Sequence, residues 1–164
     1  MMTNNDIKIK IRTFNLNDIP KSVVLERDNF EFPWDEKDFK QSHQSSMIAS
    51  MAAEIDKELA GYLFYDVAKD HYQILSINVD KKFQRKGVGR KLVETLISRL
   101  NDSFHKNTII ASVRETNVTA CLFFNNLKFN AVEIIKEAYT IVHEDAYVMK
   151  YRIPIDELME KFNK

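Results

Sequence analysis

The chain has 164 residues, 45% hydrophobic and 29% charged, which is the balance of a folded globular domain and excludes a disordered segment. Lys plus Arg and Asp plus Glu both number 24, so no bulk charge draws the whole molecule to nucleic acid or to an anionic membrane. A single cysteine, Cys121, excludes an internal disulfide and a cysteine-built zinc site, and no apolar run reaches the ~20 residues that span a bilayer. The polar start, Met1 to Lys10, has no signal-peptide core, and the compartment expected is the cytoplasm.

The elements alternate. Ile7, Ile9 and Ile11 recur every second residue between lysines, the period of a strand. Asn17 and Asp18 are positioned to cap a helix from Pro20 to Asn29, with the proline in its first turn. Phe30-Glu31-Phe32-Pro33-Trp34 breaks that helix, and Asp35 caps a short second one reaching about Ser42. Met47–Ile55 and Leu59–Val67 read as strands joined at Asp56-Lys57-Glu58, and Ile74–Val79 as another. Val88–Asn101 is the clearest helix: Val88, Leu92, Val93, Leu96, Ile97 and Leu100 share one face, while Arg90, Lys91, Glu94 and Arg99 share the other. Thr108–Val113 is a strand, Asn117–Leu127 a helix, and Phe129–Lys136 and Ala146–Ile153 are the last strands. Without repeats or a Gly/Ser/Pro linker, residues 1–164 read as a single domain, an α/β or α+β layering around one sheet.

Chemistry concentrates where the strand Ile74–Val79 runs through Asp80 into Gln84-Arg85-Lys86-Gly87-Val88-Gly89-Arg90 and opens the long helix. Two of the chain's three glycines lie there, and Lys81 to Lys91 holds six basic residues and no acidic one. A helix N-terminus carries unpaired N–H groups and partial positive charge, and glycine allows close approach of an anion. A phosphate cradle and a plain basic turn both fit this local pattern. The G-x-G-x-x-G and P-loop patterns are not met. A second region, Glu26 to Asp38, holds six acidic residues and two basic ones around Phe32-Pro33-Trp34. It reads either as a wall for a cationic ligand or as a solvated helix pair anchored by a buried Trp34.

Gln84 to Gly89 matches the Q/R-x-x-G-x-G/A signature of the GNAT acetyltransferase superfamily, and the chain resembles its RimI-like branch, which acetylates protein N-termini. Phe32-Pro33-Trp34 followed by Glu36 is similar to the branch's FPW-x-E segment. Val113-Arg114-Glu115-Thr116-Asn117 resembles V-R-x-S/T-N, Phe124 to Phe129 resembles Y-x-x-x-G-F, and Glu144 to Met149 resembles E-D-A-x-x-M. The likeness spans roughly residues 7 to 153. It implies a mixed, mostly antiparallel sheet splayed at the cofactor site, with helices on both faces. It implies acetyl-CoA as cofactor, its pyrophosphate held by backbone N–H groups of Arg85, Lys86, Gly87, Val88, Gly89 and Arg90 beside Gln84. Its pantetheine arm would lie along Ile77, Asn78 and Val79, with Asn117 and Phe124 nearby. Phe32, Trp34 and Tyr139 would meet the acceptor amine, most simply a protein N-terminus.

Two positions depart from the family. The general-base glutamate is replaced by Ser112, and the tyrosine that protonates the leaving thiolate by Phe124. Catalysis survives such losses in principle. An α-amino group of pKa ~7.8 is roughly a fifth to a third neutral near pH 7.4, whereas a lysine amine of pKa ~10.4 is neutral about one part in a thousand. Glu115, Tyr139 and His143 are candidate substitutes, each also readable as an ordinary surface residue; Ser112 could order a water. A third departure, Lys128 in place of glycine, falls at a helix end that favours a left-handed residue. His43, His71 and His105 show no ligand spacing, so no metal is expected. Cys121 reads as a small buried residue on an apolar helix face. Competing readings are acetylation of a small amine such as a polyamine or amino acid, and a CoA-binding module with weak or no catalysis. Neither a membrane nor a nucleic acid is expected as partner.

Overall fold

The computed structural model describes residues 7–103 and 105–162. Met1–Asp6, part of the polar start, lie outside the described residues. Seven strands, β1 (Lys10–Thr13), β2 (Ile48–Ile55), β3 (Glu58–Val67), β4 (His71–Val79), β5 (Thr108–Arg114), β6 (Asn130–Tyr139) and β7 (Glu144–Arg152), form one open sheet in the order β1-β2-β3-β4-β5-β7-β6. Among the described residues five α-helices accompany it: α1 (Ile19–Asn29), α2 (Glu36–Gln44), α3 (Val88–Asp102), α4 (Val118–Asn126) and α5 (Ile155–Phe162). The sheet is mixed. β1–β2, β5–β7 and β6–β7 pair antiparallel, and β4 pairs β5 in parallel over His71–Ile74 and Thr108–Ala111.

The chain divides into two compact units, Met1–Tyr65 with Leu75–Thr95, and Asp66–Ile74 with Leu96–Lys164. The first is built on aromatic rings. Phe14, Phe39, Tyr62 and Phe64 are fully buried. Phe14 meets Phe64 at 4.8 Å between centroids, Phe39 meets Tyr62 at 5.4 Å, and Trp34 meets Phe39 at 5.4 Å, all edge-on. Edge-to-face geometry sets a ring's positive rim against its neighbour's negative face. Around this core Arg12 donates to both oxygens of Asp18 at 2.8 Å and to Glu54 at 2.8 Å. That engagement explains a difference from the sequence reading. Asp18 precedes α1 but makes no side-chain cap there, because its carboxylate is taken by Arg12 and the Asn15 N–H. The cap falls instead to Asn15, ahead of a 3-10 turn at Leu16–Asp18. Asp35 caps α2 as expected, in a reciprocal box with Asp38.

The second unit has a smaller aromatic core, Phe124 on Phe129 at 5.1 Å and Phe129 on Tyr151 at 5.6 Å. Its β6 is exposed along both faces, with Val132, Ile134 and Ile135 all open to solvent.

Several boundaries move. Pairing of β1 begins only at Lys10, where β2 supplies Glu54 opposite. β4 begins three residues earlier than its apolar run, because His71, Tyr72 and Gln73 pair with Thr108, Ile109 and Ile110. β6 continues to Tyr139, which pairs with Glu144, so Tyr139 is a strand residue and not a loop residue. α5 was not anticipated, although Pro154 at its start and Asp156 and Glu157 in its first turn are helix-start signals. Cys121 is half-buried rather than buried, since the neighbouring Val118 and Leu122 of α4 face solvent; what burial it has pushes its thiol up. Trp34 is likewise half-buried, packed on the core by one side of its ring. No described helix is long and apolar enough to cross a membrane.

Candidate active site

The candidate residues fall into two sets, one in each unit. In the first, β4 ends at Val79 and Asp80 starts a 3-10 turn over Lys81–Phe83. Burial pushes Asp80 up, but Lys21 at 2.7 Å and the Lys82 N–H outweigh it and hold the carboxyl below its ordinary range. Phe83 is buried and anchors the turn, with the Lys82 and Lys86 ammoniums 4.9 and 5.5 Å from its ring. The chain then turns through Arg85 (φ 62°) and Gly87 (φ 86°) into α3, whose first intrahelical bond runs from the Lys91 N–H to the Gly87 carbonyl. Left-handed backbone at Gly87 costs little, and the same backbone at Arg85 is uncommon for a residue with a Cβ. Val88 is 1% exposed, so its side chain belongs to the core. Lys81 binds the Asp28 carbonyl, Lys82 pairs with Glu58, and Arg90 with Glu94. Among the described residues Arg85, Lys86 and Lys91 have no carboxylate partner, so the loop keeps net positive charge beside a helix N-terminus.

Two residues of this set are committed elsewhere. Asn78 is buried, with its side chain accepting from Asn29 at 2.6 Å and donating to the Tyr62 hydroxyl at 3.3 Å. Gln84 turns back to donate to the Val79 carbonyl at 3.1 Å, which also accepts from Asn29 at 3.3 Å. Strand β3 lies tight against this backbone. A Cβ on Gly61 would sit 2.6 Å from the Asn78 carbonyl oxygen.

The α1–α2 loop belongs to the same unit. Phe32 is 47% exposed, and Glu31, Phe32, Pro33 and Trp34 line an open depression of about 620 Å³ with Asp38, Gln41 and Ser42. Aromatic surface and carboxylates thus share one concavity.

The second set surrounds the paired ends of β5 and β7. Ser112 is exposed on β5 opposite Val148. Glu115 follows the strand, and its N–H donates to the Asp145 carbonyl at 3.0 Å while its carboxylate accepts from the Asp145 N–H at 3.2 Å. It is tied to β7, not a loose loop charge. Arg114 grips both oxygens of Glu144, at 3.0 and 2.7 Å, and Thr116 donates to the same carboxylate at 2.6 Å. Arg114 and Thr116 hold Glu144 below the ordinary carboxylate range. The Arg114 guanidinium also lies 5.5 Å from the Tyr139 ring centre. Burial raises the Tyr139 phenol, with Arg114 opposing and Glu144 adding to the rise, so it is protonated at neutral pH. His143 is exposed in the β6–β7 turn at φ 53°. Asn117 caps α4, accepting from the Ala120 N–H at 3.0 Å. Phe124 is 3% exposed between Phe123 and Phe129.

Sequence reasoning missed Glu26, one of six acidic residues in its stretch, and the Arg114–Glu144 clamp. The burial of Glu26 has a faint signal: it follows Val23 and Leu25 on α1 and precedes the loop by one turn. The clamp joins residues 30 apart in sequence, and nothing local announces it.

A model of the acetyltransferase (GNAT) family matches residues 14–129. The ribosomal protein bS18-alanine N-acetyltransferase of Salmonella typhimurium is 31% identical over 141 residues, 85% of this chain and 94% of that protein. The crystal structure of the ribosomal-protein-S18-alanine N-acetyltransferase from Escherichia coli superposes with a TM-score of 0.79 at 29% identity, covering 89% of this chain and 94% of that one. Arabidopsis thaliana NAA60 in complex with acetyl-CoA shares the fold, with a TM-score of 0.79 at 19% identity over 89% of this chain and 100% of that one. The chain belongs to the acetyltransferase (GNAT) family.

Proposed function

We propose that this protein acetylates the α-amino group of a protein N-terminus, using acetyl-CoA. The protein is an acetyl-CoA-dependent N-acetyltransferase, and the choice of acceptor is the further step. The observation that carries it is the basic turn Gln84–Arg90. Its left-handed Arg85 and Gly87, its Arg85, Lys86 and Lys91 without a carboxylate partner among the described residues, and the N-terminus of α3 fit a pyrophosphate. When bound, acetyl-CoA would supply a thioester as acetyl donor, its acetyl carbon passing from sulfur to the amine nitrogen while one amine proton is given up and the departing sulfur gains one. Backbone N–H groups of Arg85 to Arg90 would hold the diphosphate, and Ile77, Asn78 and Val79 would offer backbone rather than side chains to the pantetheine.

The chain's own residues favour an acceptor that needs little help. Ser112 carries no titratable group in the working range, and Phe124 has no proton to give. An α-amine of pKa ~7.8 reaches its neutral form about 3–4 kcal/mol more easily than a lysine amine. Tyr139 keeps its proton and is the group able to return one to the thiolate; Glu115 is a carboxylate able to receive one through water. Phe32 and Trp34 would flank the acceptor's first residues, and Glu31 and Asp38 would suit its positive charge. The two similar bacterial enzymes named above act on the alanine N-terminus of a ribosomal protein. An acceptor of that class would place this enzyme in the cytoplasm, acting as a single domain.

A second reading, a CoA-binding module without turnover, is favoured by the loss of both proton-transfer groups at Ser112 and Phe124. Calorimetric titration with acetyl-CoA, followed by thiol release against peptides beginning with alanine, separates the two. Binding with turnover is the expected result. Binding without turnover on any free N-terminus would favour the module, and no binding would remove the pyrophosphate role of Gln84–Arg90.

A further inference from the structure

Glu26 is 2% exposed, a carboxylate buried in the last turn of α1. Both its oxygens are engaged. One accepts from the Tyr62 hydroxyl at 2.5 Å and the Ser76 hydroxyl at 3.0 Å. The other accepts from the Trp34 N–H at 2.9 Å. The Glu26 backbone carbonyl accepts from the Phe30 N–H at 2.8 Å. One residue therefore closes both ends of the loop Phe30–Trp34, by its main chain at the start and by its side chain at the finish. The same helix end is fixed to β4 and the turn that follows. Asn29 binds the Asn78 side chain and the Val79 carbonyl, and Lys81 binds the Asp28 carbonyl. A buried carboxylate is retained only where several donors compensate its lost hydration, and here the donors come from the loop, β3 and β4.

We infer that Glu26 is a positioning residue for acceptor recognition: its carboxylate sets the shape of the Phe32–Trp34 wall and locks that wall to strand β4. The inference rests on the acceptor role given above to the α1–α2 loop. Its chemistry is specific to a carboxylate. Glutamine has one accepting oxygen and one donating NH2. With the oxygen on Tyr62 and Ser76, the NH2 faces the Trp34 N–H and two donors meet; with the amide reversed, the Tyr62 and Ser76 hydroxyl protons lose their acceptor, so either orientation weakens the tie between loop and strands.

The test is Glu26→Gln against Tyr62→Phe, which removes one donor from β3 and leaves the Trp34 bond intact. Trp34 is the chain's single tryptophan, so its emission reports the loop without interference. Glu26→Gln is expected to shift and weaken the response of Trp34 emission to acceptor peptide. It is also expected to raise the acceptor KM roughly tenfold or more while kcat and the acetyl-CoA KM stay within about twofold. Tyr62→Phe is expected to leave Trp34 emission and the acceptor KM near wild type, whatever its effect on Tm. Equal changes in both variants, or an unchanged acceptor KM and emission in a folded Glu26→Gln, would overturn the inference. Should Glu26→Gln not fold, hydrogen exchange at the Trp34 amide of the unaltered protein decides: strong protection is expected, and exchange at the free-loop rate would contradict the lock. The emission and exchange readouts need no turnover. A wild-type protein inactive on every peptide would sink the acceptor assignment while leaving these two to judge the lock.

Discussion

The two compact units solve the burial problem by different chemistry. In the first, rings from β3, α2 and the segment after β1 pack edge-on. The buried carboxylate of Glu26 stitches the α1–α2 loop to strands β3 and β4. In the second, charge sits at the ends of β5 and β7 in partly hydrated pairs, and β6 is open on both faces. Segments that must present backbone at fixed positions, the β4 end and the turn into α3, belong to the first. The second holds the titratable candidates Glu115 and Tyr139.

That contrast is sharpest in the cores. Phe39→Ala removes a ring packed on Phe14, Trp34, Tyr62 and Phe64, and is expected to cost about 3–5 kcal/mol in denaturant melts. Ile134→Ala on β6, 51% exposed, is expected to cost about 0.5 kcal/mol or less. Similar losses from the two would erase the distinction. Gly61→Ala comes next. Its Cβ would press on the Asn78 carbonyl, and because that contact is backbone the strands must part, at about 1–3 kcal/mol by the same melts.

Gly87→Val tests the turn. A β-branched residue at φ 86° is strained, so the turn must shift, and its Cβ would lie 4.0 Å from the Ile9 side chain. Acetyl-CoA affinity by calorimetry is expected to fall roughly tenfold, with a loss of stability near 1 kcal/mol. Undiminished affinity would move the diphosphate elsewhere.

The Arg114–Glu144 clamp carries a pH signature. Arg114 and Thr116 lower the folded-state pKa of Glu144, so its contribution is complete above the ordinary glutamate value and is lost as pH falls through the lowered one. Arg114→Gln is expected to lower Tm at pH 7, and the gap to wild type should close as pH drops through the carboxylate range. A gap independent of pH would assign Arg114 a packing role, through the Tyr139 ring. The last of these effects is a gain. Lys128 ends α4 in left-handed backbone (φ 65°), where glycine is unstrained, and Lys128→Gly is expected to stabilise by about 0.5–1 kcal/mol in thermal melts.

Much of this was legible in the residues. Glycine scarcity made Gly87 and Gly89 conspicuous, and the 3.6-residue spacing from Val88 to Leu100 fixed α3 nearly to the residue. The likeness to the acetyltransferase family supplied the cofactor and the sheet. What escaped depends on partners distant in sequence. Residues 71–73 look polar and become strand only because β5 pairs with them. Asp18 looks like a cap and is drawn to Arg12 instead. Glu26 reads as one more acid on a charged helix until Tyr62, Ser76 and the Trp34 amide surround it. The left-handed Arg85 was hidden too, since its side chain favours no such backbone.

The central claim is α-amine acetylation from acetyl-CoA. It is tested most directly by incubating protein and acetyl-CoA with one peptide that begins with a free alanine and contains an internal lysine, then locating the added acetyl group by fragment mass spectrometry. Acetylation is expected at the alanine nitrogen, with the lysine untouched at neutral pH. Acetyl on the lysine alone, or on neither amine while acetyl-CoA binds, would contradict it.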